Sequence, residues 1–439
     1  MLETVKNAFR IKDIRKKLAY TLMMLVVIRL GSQLPVPGTV KGFFSDWFAK
    51  QSGDFSGFLN AFTGGSFERM SVFALNITPY ITSSIIMQLL TIAIPKLEEL
   101  QKDGEDGRKK IASITRYVTV GLALFESTAM AIGFGNQGLI SKTDGLYGLH
   151  VVTVIAGLTA GSAFLMWIGE QINENGIGNG ISIVLTINII SSMPQDFTAL
   201  YQQFVNGKSF ATGALAFVIM IAIVLGTIIL TVILNGGERR IPVQYAKKIQ
   251  GRKTYGGQSS HIPLKVNTAG VIPIIFASSI MQLPVVISSF TTVRSQGFAR
   301  FVQVMSSSHW FKKADWFPTI GAVIYIVLVI FFAYFYTSIT FNPLEVADNM
   351  KKQGGFIPGI RPGKPTSEYL TKILNYVVFI GAVGLIIVAM VPIVCNGLFG
   401  ASVSFGGTSL IIIVSVILET LKQVESQMLV RNYKGFLSE

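Results

Sequence analysis

Apolar residues run along this chain in ten long blocks, which polar or glycine-rich segments separate. A helix needs about 20 mostly apolar residues to cross the hydrocarbon core of a bilayer. The pattern therefore predicts ten membrane-spanning helices, with a tight connection at 169–176 between the fourth and the fifth. The predicted spans are 18–34, 72–94, 111–134, 149–168, 177–193, 210–234, 269–290, 317–341, 373–393 and 408–418.

The composition of the chain favours the same class. Only 14% of the 439 residues are charged, whereas soluble chains carry roughly 25%. The single cysteine, Cys395, excludes a disulfide scaffold, and with three scattered histidines it leaves no zinc-binding cluster. The sequence contains neither H-E-x-x-H nor G-x-S-x-G. We therefore expect no catalysis by this chain and no cofactor.

The basic residues are distributed unevenly between the two sides that ten spans define. The side that holds both termini carries 26 of the 37 Lys and Arg residues, including those of segment 1–17 and tail 419–439, and the other side carries nine. Cytosolic loops of membrane proteins are enriched in Lys and Arg. The count therefore predicts that both termini are cytosolic.

Two of the predicted cytosolic loops, 235–268 and 342–372, are unusually long. They combine basic residues with apolar and turn-forming runs such as Ile241-Pro242-Val243, which favours ordered hairpins over loose linkers. Protruding basic loops suit an acidic partner such as ribosomal RNA, or a docking protein. The alternative is that their charges only orient the helices.

Few ionisable residues fall inside the predicted spans: Arg29, Arg116 and Glu126. Ion-coupled transporters usually carry more of them at membrane depth. Before the second span, an apolar run at 55–62 ends at Gly64-Gly65. The run is consistent with a re-entrant half-helix or with an ordinary external loop.

Eight sequence runs follow one another along nearly the whole chain. The runs are LPVPG at 34–38, FALNITPYITSSIIMQLL at 73–90, GEDGRKKI at 104–111, FLMWIGEQINENGIGNGIS at 164–182, ERRIPVQYAKK at 238–248, HIPLKVNTAGVIPIIFASS at 261–279, NPLEVADNMKKQGGFIPGIRPGKPT at 342–366 and FGGTSL at 405–410. Together they resemble the SecY family of protein-translocation channels. The external loops 135–150, 194–209 and 291–316 carry none of this resemblance.

The resemblance implies an all-α polytopic membrane protein whose ten helices form two inverted five-helix halves, 18–193 and 210–418, around a central pore. It also implies a gate towards lipid between spans 2 and 7. A plug half-helix near 55–67 would close the external side. Its matching residues are Phe58, Leu59, Phe62, Gly64, Gly65 and Phe67. The constriction would be sealed by an apolar ring of Ile81, Ile85, Leu185, Ile189, Ile275 and Ile412.

The function that the resemblance implies is a channel of the bacterial cytoplasmic membrane. It would pass unfolded secretory precursors and release membrane segments sideways into lipid. The SecA ATPase or the ribosome would drive it, and SecE and SecG would be its partner subunits. The docking residues would be Arg361, Arg239, Arg240, Lys247, Lys248, Arg252 and Lys253. An ion-coupled small-solute transporter is the alternative, since ten spans would also allow it.

Overall fold

The computed structural model describes most of the chain. The described residues are 9–40, 42–44, 46, 63–140, 146–204, 210–245, 248–250, 253–255, 259–290, 296–312, 315–399 and 407–435. They form thirteen α-helices and five short β-strands, together with brief π- and 3₁₀-helical turns.

The helices, in chain order, are α1 (Lys12–Gly31), α2 (Thr78–Ala93), α3 (Pro95–Lys102), α4 (Gly104–Phe134), α5 (Tyr147–Asn175), α6 (Gly180–Phe204), α7 (Phe210–Gly236), α8 (Ile272–Phe290), α9 (Gln296–Met305), α10 (Ile320–Thr340), α11 (Pro343–Lys352), α12 (Lys364–Phe399) and α13 (Gly407–Gly435). The strands are β1 (Glu238–Tyr245), β2 (Lys248–Gln250), β3 (Lys253–Tyr255), β4 (Ser259–Lys265) and β5 (Gly355–Phe356).

Each of the ten predicted spans overlaps one long helix, but several predicted boundaries are wrong. Residues 169–175 continue α5 instead of forming a connection, so that only 176–179 separate α5 from α6. The second span does not begin at Val72: residues 71–77 form turns, and α2 begins at Thr78. The last helix continues to Gly435, well beyond the apolar block. Polar residues extend these helices because backbone hydrogen bonding does not end where the apolar run ends.

Length and apolarity alone identify five described helical stretches as candidate spans, in α4, α5, α7, α10 with α11, and α12. Their bounds are Gly104–Phe134, Tyr147–Asn175, Phe217–Gly236, Phe317–Lys352 and Lys364–Gly397. A sixth arises if Thr78–Ala93 and Pro95–Gln101, which are bent by 106° relative to each other, count as one span. Pro95 follows Ile94, whose extended backbone interrupts the helix there. The described fold is that of a polytopic helical membrane protein.

The chain divides into two compact units. One comprises residues up to Gln202 together with Val416–Glu439, and the other comprises mainly Gln203–Ala401 and Gly406–Ser415. The first unit has an apolar core centred on the facing helices α4 and α5. Met130 and Phe134 of α4 are buried there with Val154 and Leu158 of α5.

The second unit has two apolar clusters. One joins α7, α8, α10, α12 and α13 through residues such as Ile274, Tyr325 and Leu385. The other lies beneath a three-stranded sheet of order β4-β1-β5, which the prediction of an all-α fold did not include. Antiparallel pairing sets Ile241 of β1 opposite Ile262 of β4 and Gln244 of β1 opposite Phe356 of β5. The sheet therefore joins the two long loops into one ordered element.

Candidate functional site

Four of the proposed ring residues lie in the first unit, as two pairs on two helices. Ile81 and Ile85 lie on α2 and are half-buried, whereas Leu185 and Ile189 on α6 are 7% and 0% exposed. Residues four apart share one face of a helix. Each helix therefore presents a short aliphatic stripe without a charged group.

An asparagine pair connects α6 with the turn that precedes α2. The Asn188 side-chain amide Nδ2 donates to Oδ1 of Asn76 at 2.9 Å, and Ser162 Oγ on α5 donates to the Asn76 carbonyl at 3.2 Å. Asn76 has φ +53°, in the left-handed region, which asparagine tolerates better than most residues. Both asparagines are nearly fully buried. The pair therefore fixes the start of α2 beside the turn of α6 that carries Ile189.

The described part of the proposed plug contacts the same turn of α6. Gly64 has φ +60°, and a Cβ there would lie 2.7 Å from the Asn188 carbonyl oxygen, so only glycine fits. Phe67 belongs to the core of the first unit, where its ring lies 4.6 Å from that of Phe44. Gly65 also has positive φ. The other proposed plug residues, Phe58, Leu59 and Phe62, lie outside the described residues.

The remaining two ring residues lie in the second unit. Ile275 on α8 is half-buried and Ile412 on α13 is 2% exposed. Here too an asparagine amide joins two elements, the segment before α8 and helix α7: Asn267 Nδ2 donates to Asn235 Oδ1 at 2.8 Å. Asn235 Nδ2 in turn donates to Ser415 Oγ, three residues after Ile412, at 2.9 Å. A partly buried polar contact of this kind helps to fix helix position because its partners have few alternatives in an apolar medium.

In the described parts of the two long loops, strands β1, β4 and β5, helix α11 and the turn at 357–363 form a platform with its own apolar core. Ile241 and Val243 of β1 are buried against Leu264 of β4. Ala347 and Met350 of α11 belong to the same cluster, as do Leu370 and Leu374 of α12. The platform therefore packs directly against α12. For the described parts of the two loops, this arrangement agrees with the prediction that they are ordered.

Arg361 is exposed on a tight turn of this platform. Its carbonyl oxygen accepts a hydrogen bond of 2.8 Å from Oγ1 of the fully buried Thr366. Ile357, four residues earlier, is buried in the core below, and Gly359 and Gly363 supply the positive φ angles of the turn. The backbone of Arg361 is thus held while its guanidinium group extends into solvent.

The structure describes the other proposed docking residues to different extents. Arg239 is exposed, whereas Nε of Arg240 lies 2.6 Å from Oε1 of Glu238. The backbones of Lys248 and Lys253 form the paired strands β2 and β3, and Lys247 and Arg252 lie outside the described residues.

One ion pair between helices of the first unit is not predicted from the sequence. Arg116 on α4 pairs with Glu170 on α5, with Nε and Oε1 2.7 Å apart. The apolar pattern predicts Glu170 in the connection 169–176, whereas Glu170 lies about one turn before the end of α5. With the helix extended through 169–175, Arg116 and Glu170 lie on consecutive antiparallel helices.

Comparison with known proteins gives a consistent result. The SecY family model matches residues 71–421. The chain is 44% identical to the protein translocase subunit SecY of Streptomyces scabiei and 41% identical to that of Halalkalibacterium halodurans, in each case over the full length of both chains. Among solved structures, "The structure of a protein conducting channel" superposes with a TM-score of 0.58 at 17% identity, covering 94% of this chain and 92% of the other.

The helical fold with its candidate spans, taken together with these comparisons, defines a polytopic membrane channel. The chain belongs to the SecY family of protein-translocation channels. This membership confirms the resemblance found in the sequence, and with it the expectation that the chain is a channel and not an enzyme. The small-solute transporter finds no support in these comparisons.

Proposed function

We propose that Ile81, Ile85, Leu185, Ile189, Ile275 and Ile412 form the seal of a polypeptide-conducting pore between the halves 18–193 and 210–418. Aliphatic side chains exclude water and ions from a narrow pore by dewetting. They also bind no particular side chain tightly, which suits a channel that passes many sequences. The full-length identity of 44% to a protein translocase subunit carries this proposal.

The segment 55–67 is the proposed plug, which closes the external side of the pore. Support comes from Gly64, whose backbone approaches Asn188 and Ser191 of α6 so closely that a Cβ would meet both. Asn188 is adjacent to the proposed ring residue Ile189. A polypeptide that displaced the plug would therefore act on the turn that carries the seal. One solved neighbour, with a TM-score of 0.59, is titled as showing that the plug domain of SecY stabilises the closed state.

The platform of β1, β4, β5 and α11 is the proposed docking surface for the SecA motor or the ribosome, on the cytosolic side with both termini. Its fixed turn exposes Arg361, whose planar guanidinium suits carboxylate or phosphate groups. A solved neighbour titled as Sec61 in the canine ribosome-channel complex has a TM-score of 0.55. SecE would hold the two halves together, SecG would bind at the periphery, and the complex would lie in the bacterial cytoplasmic membrane.

Reconstitution tests the proposed function directly. The chain, co-purified with SecE and incorporated into vesicles, should move a secretory precursor into the vesicle lumen when SecA and ATP are added. Protection of the precursor from external protease is the readout, and vesicles with SecE alone are the control. If the precursor stays accessible while a known SecY complex protects it in parallel, the proposal is wrong.

A further inference from the structure

The second unit exposes an aromatic surface that belongs neither to the proposed seal and plug nor to the docking platform. Helix α9 exposes Phe298 and Phe301, which are 38% and 45% exposed, with ring centroids 6.4 Å apart. A little further along the chain, Trp316 and Phe317 are 57% and 51% exposed. These four residues are called the aromatic patch below. Phe298, Phe301 and Trp316 belong to the loop 291–316, where the sequence shows no family resemblance, and Phe317 is the first residue of the predicted eighth span.

The patch is mounted rigidly on the end of α10. Trp310 is buried, and its indole Nε1 donates to the carbonyl of Val304 at the end of α9 over 2.8 Å. The same carbonyl approaches Gly321 of α10 so closely that a Cβ there would lie 1.8 Å away. Thr319 Oγ1 accepts from the backbone N–H of Phe311 at 3.1 Å. The exposure of the patch is therefore not a consequence of a loose loop.

The patch continues an exposed apolar stripe of α10. Ile320, Val323, Val327 and Phe331 recur at spacings of three and four residues, and all are at least 50% exposed. Large exposed apolar surfaces mark contacts with membrane or with protein, and we infer a lipid contact here because the stripe lies on the candidate span Phe317–Lys352. Phe317 lies three residues before Ile320 and so extends the stripe beyond the helix end. The guanidinium carbon of Arg300 on α9 lies 5.9 Å from the centre of the Phe317 ring, which links α9 to the same surface.

We propose that the aromatic patch and Arg300 form an interfacial membrane anchor that binds the phospholipid headgroup region. Aromatic side chains concentrate at the boundary between hydrocarbon and water, and helices of mixed polarity lie in that boundary with apolar groups inserted. The guanidinium of Arg300 matches the phosphodiester groups found there. The occupant is the lipid surface because the patch is continuous with a lipid-facing stripe. The proposal depends on the membrane class of the protein and not on the pore assignment.

Site-directed spin labelling tests the anchor in the full chain. With Cys395→Ser as background, nitroxide labels are introduced separately at Phe298 and Phe301, and the protein is placed in nanodiscs of phosphatidylcholine and phosphatidylglycerol. A label at Val327 gives the lipid reference, and one at Gln244, exposed on the sheet, gives the water reference. Labels at Phe298 and Phe301 should favour collisions with oxygen over a water-soluble nickel chelate. We expect this preference to exceed that of Gln244 by on the order of fivefold.

Two results would overturn the proposal. Nickel accessibility equal to that of Gln244 would mean that the patch faces water, and protection from both reagents would mean that protein covers it. A second measurement needs no new cysteine: brominated phospholipid should quench less of the total tryptophan fluorescence in Trp316→Phe than in the parent chain. Equal fractional quenching in the two proteins would place Trp316 away from lipid and contradict the anchor.

Discussion

Three glycines of α5 form a graded test of how closely this helix packs. A Cβ added to Gly148 would meet nothing within 4 Å, and one added to Gly157 would lie 3.2 Å from Cγ1 of Val36. One added to Gly161 would lie 1.9 Å from the backbone oxygen of Val72. Alanine therefore places the same methyl group in open space at 148, against a side chain at 157 and against a backbone carbonyl at 161.

The expected changes in stability follow from these distances. Alanine favours a helix over glycine by about 0.5–1 kcal/mol, so Gly148→Ala should be neutral or slightly stabilising. In Gly157→Ala that gain should offset the mild crowding of a side-chain methyl. In Gly161→Ala the Val72 carbonyl must retreat by about 1 Å, and overpacking of this kind costs about 3 kcal/mol. The net loss of about 2 kcal/mol corresponds to a Tm about 4–8 °C lower.

The assay is thermal unfolding of each purified variant in one detergent, followed by tryptophan fluorescence at a fixed scan rate. Gly161→Ala should also reduce precursor transport, because the neighbouring Ser162 holds the Asn76 carbonyl at the start of α2. The order Gly148→Ala, Gly157→Ala, Gly161→Ala should be an order of falling Tm. Equal Tm values for the first and last variants would refute the inferred packing of α5 on residue 72.

Three further experiments test the docking turn, the seal and the asparagine pair. Arg361→Glu should lower SecA-driven transport by on the order of tenfold, since it reverses the charge of the fixed turn, while membrane insertion measured by fractionation stays normal. Ile412→Asn should raise ion leak through reconstituted vesicles, because a polar group in the seal favours water. A double-mutant cycle of Asn76→Ala and Asn188→Ala, measured by unfolding, should give a coupling of about 0.6–1.7 kcal/mol.

Matched controls separate these effects from general damage. Lys96→Glu makes the same charge change at an exposed basic residue of the first unit and should leave transport near normal. Ile417→Asn adds the same polar group to an exposed position of α13 and should not raise the leak. A docking role for Arg361 is contradicted if both charge reversals act alike, and the ring assignment of Ile412 is contradicted if both asparagines leak alike. Additive losses in the cycle would argue against the Asn76–Asn188 bond.

The sequence predicted the helices well because their apolar blocks are long and lack competing patterns. It predicted their ends poorly, since polar helical turns such as 169–175 carry no apolar signal. The β-sheet was also missed, although the loops were expected to be ordered. Gln244 pairs with Phe356 across more than 100 residues, and apolar patterning within either loop does not report such a partner.

The proposed site could be predicted only in part for a similar reason. Aliphatic residues such as Ile85 and Ile275 are common in membrane helices, and only the resemblance to a family distinguished them from lipid-facing neighbours. The hydrogen bond between Asn76 and Asn188 depends on a left-handed residue and on tertiary packing. Neither is visible in a local pattern of residues. Glu170, the partner of Arg116, can be recognised only when α5 is known to continue through residue 175.

Photocrosslinking to a stalled precursor determines whether a polypeptide passes along the proposed pore. A photoreactive amino acid replaces Ile85 or Ile275 in turn, with Val327 on the exposed stripe of α10 as the reference position. With a precursor arrested during SecA-driven transport, both ring positions should crosslink to the precursor and Val327 should crosslink mainly to lipid. Absence of precursor adducts at Ile85 and Ile275, or equal yield at Val327, would contradict a polypeptide path along these residues.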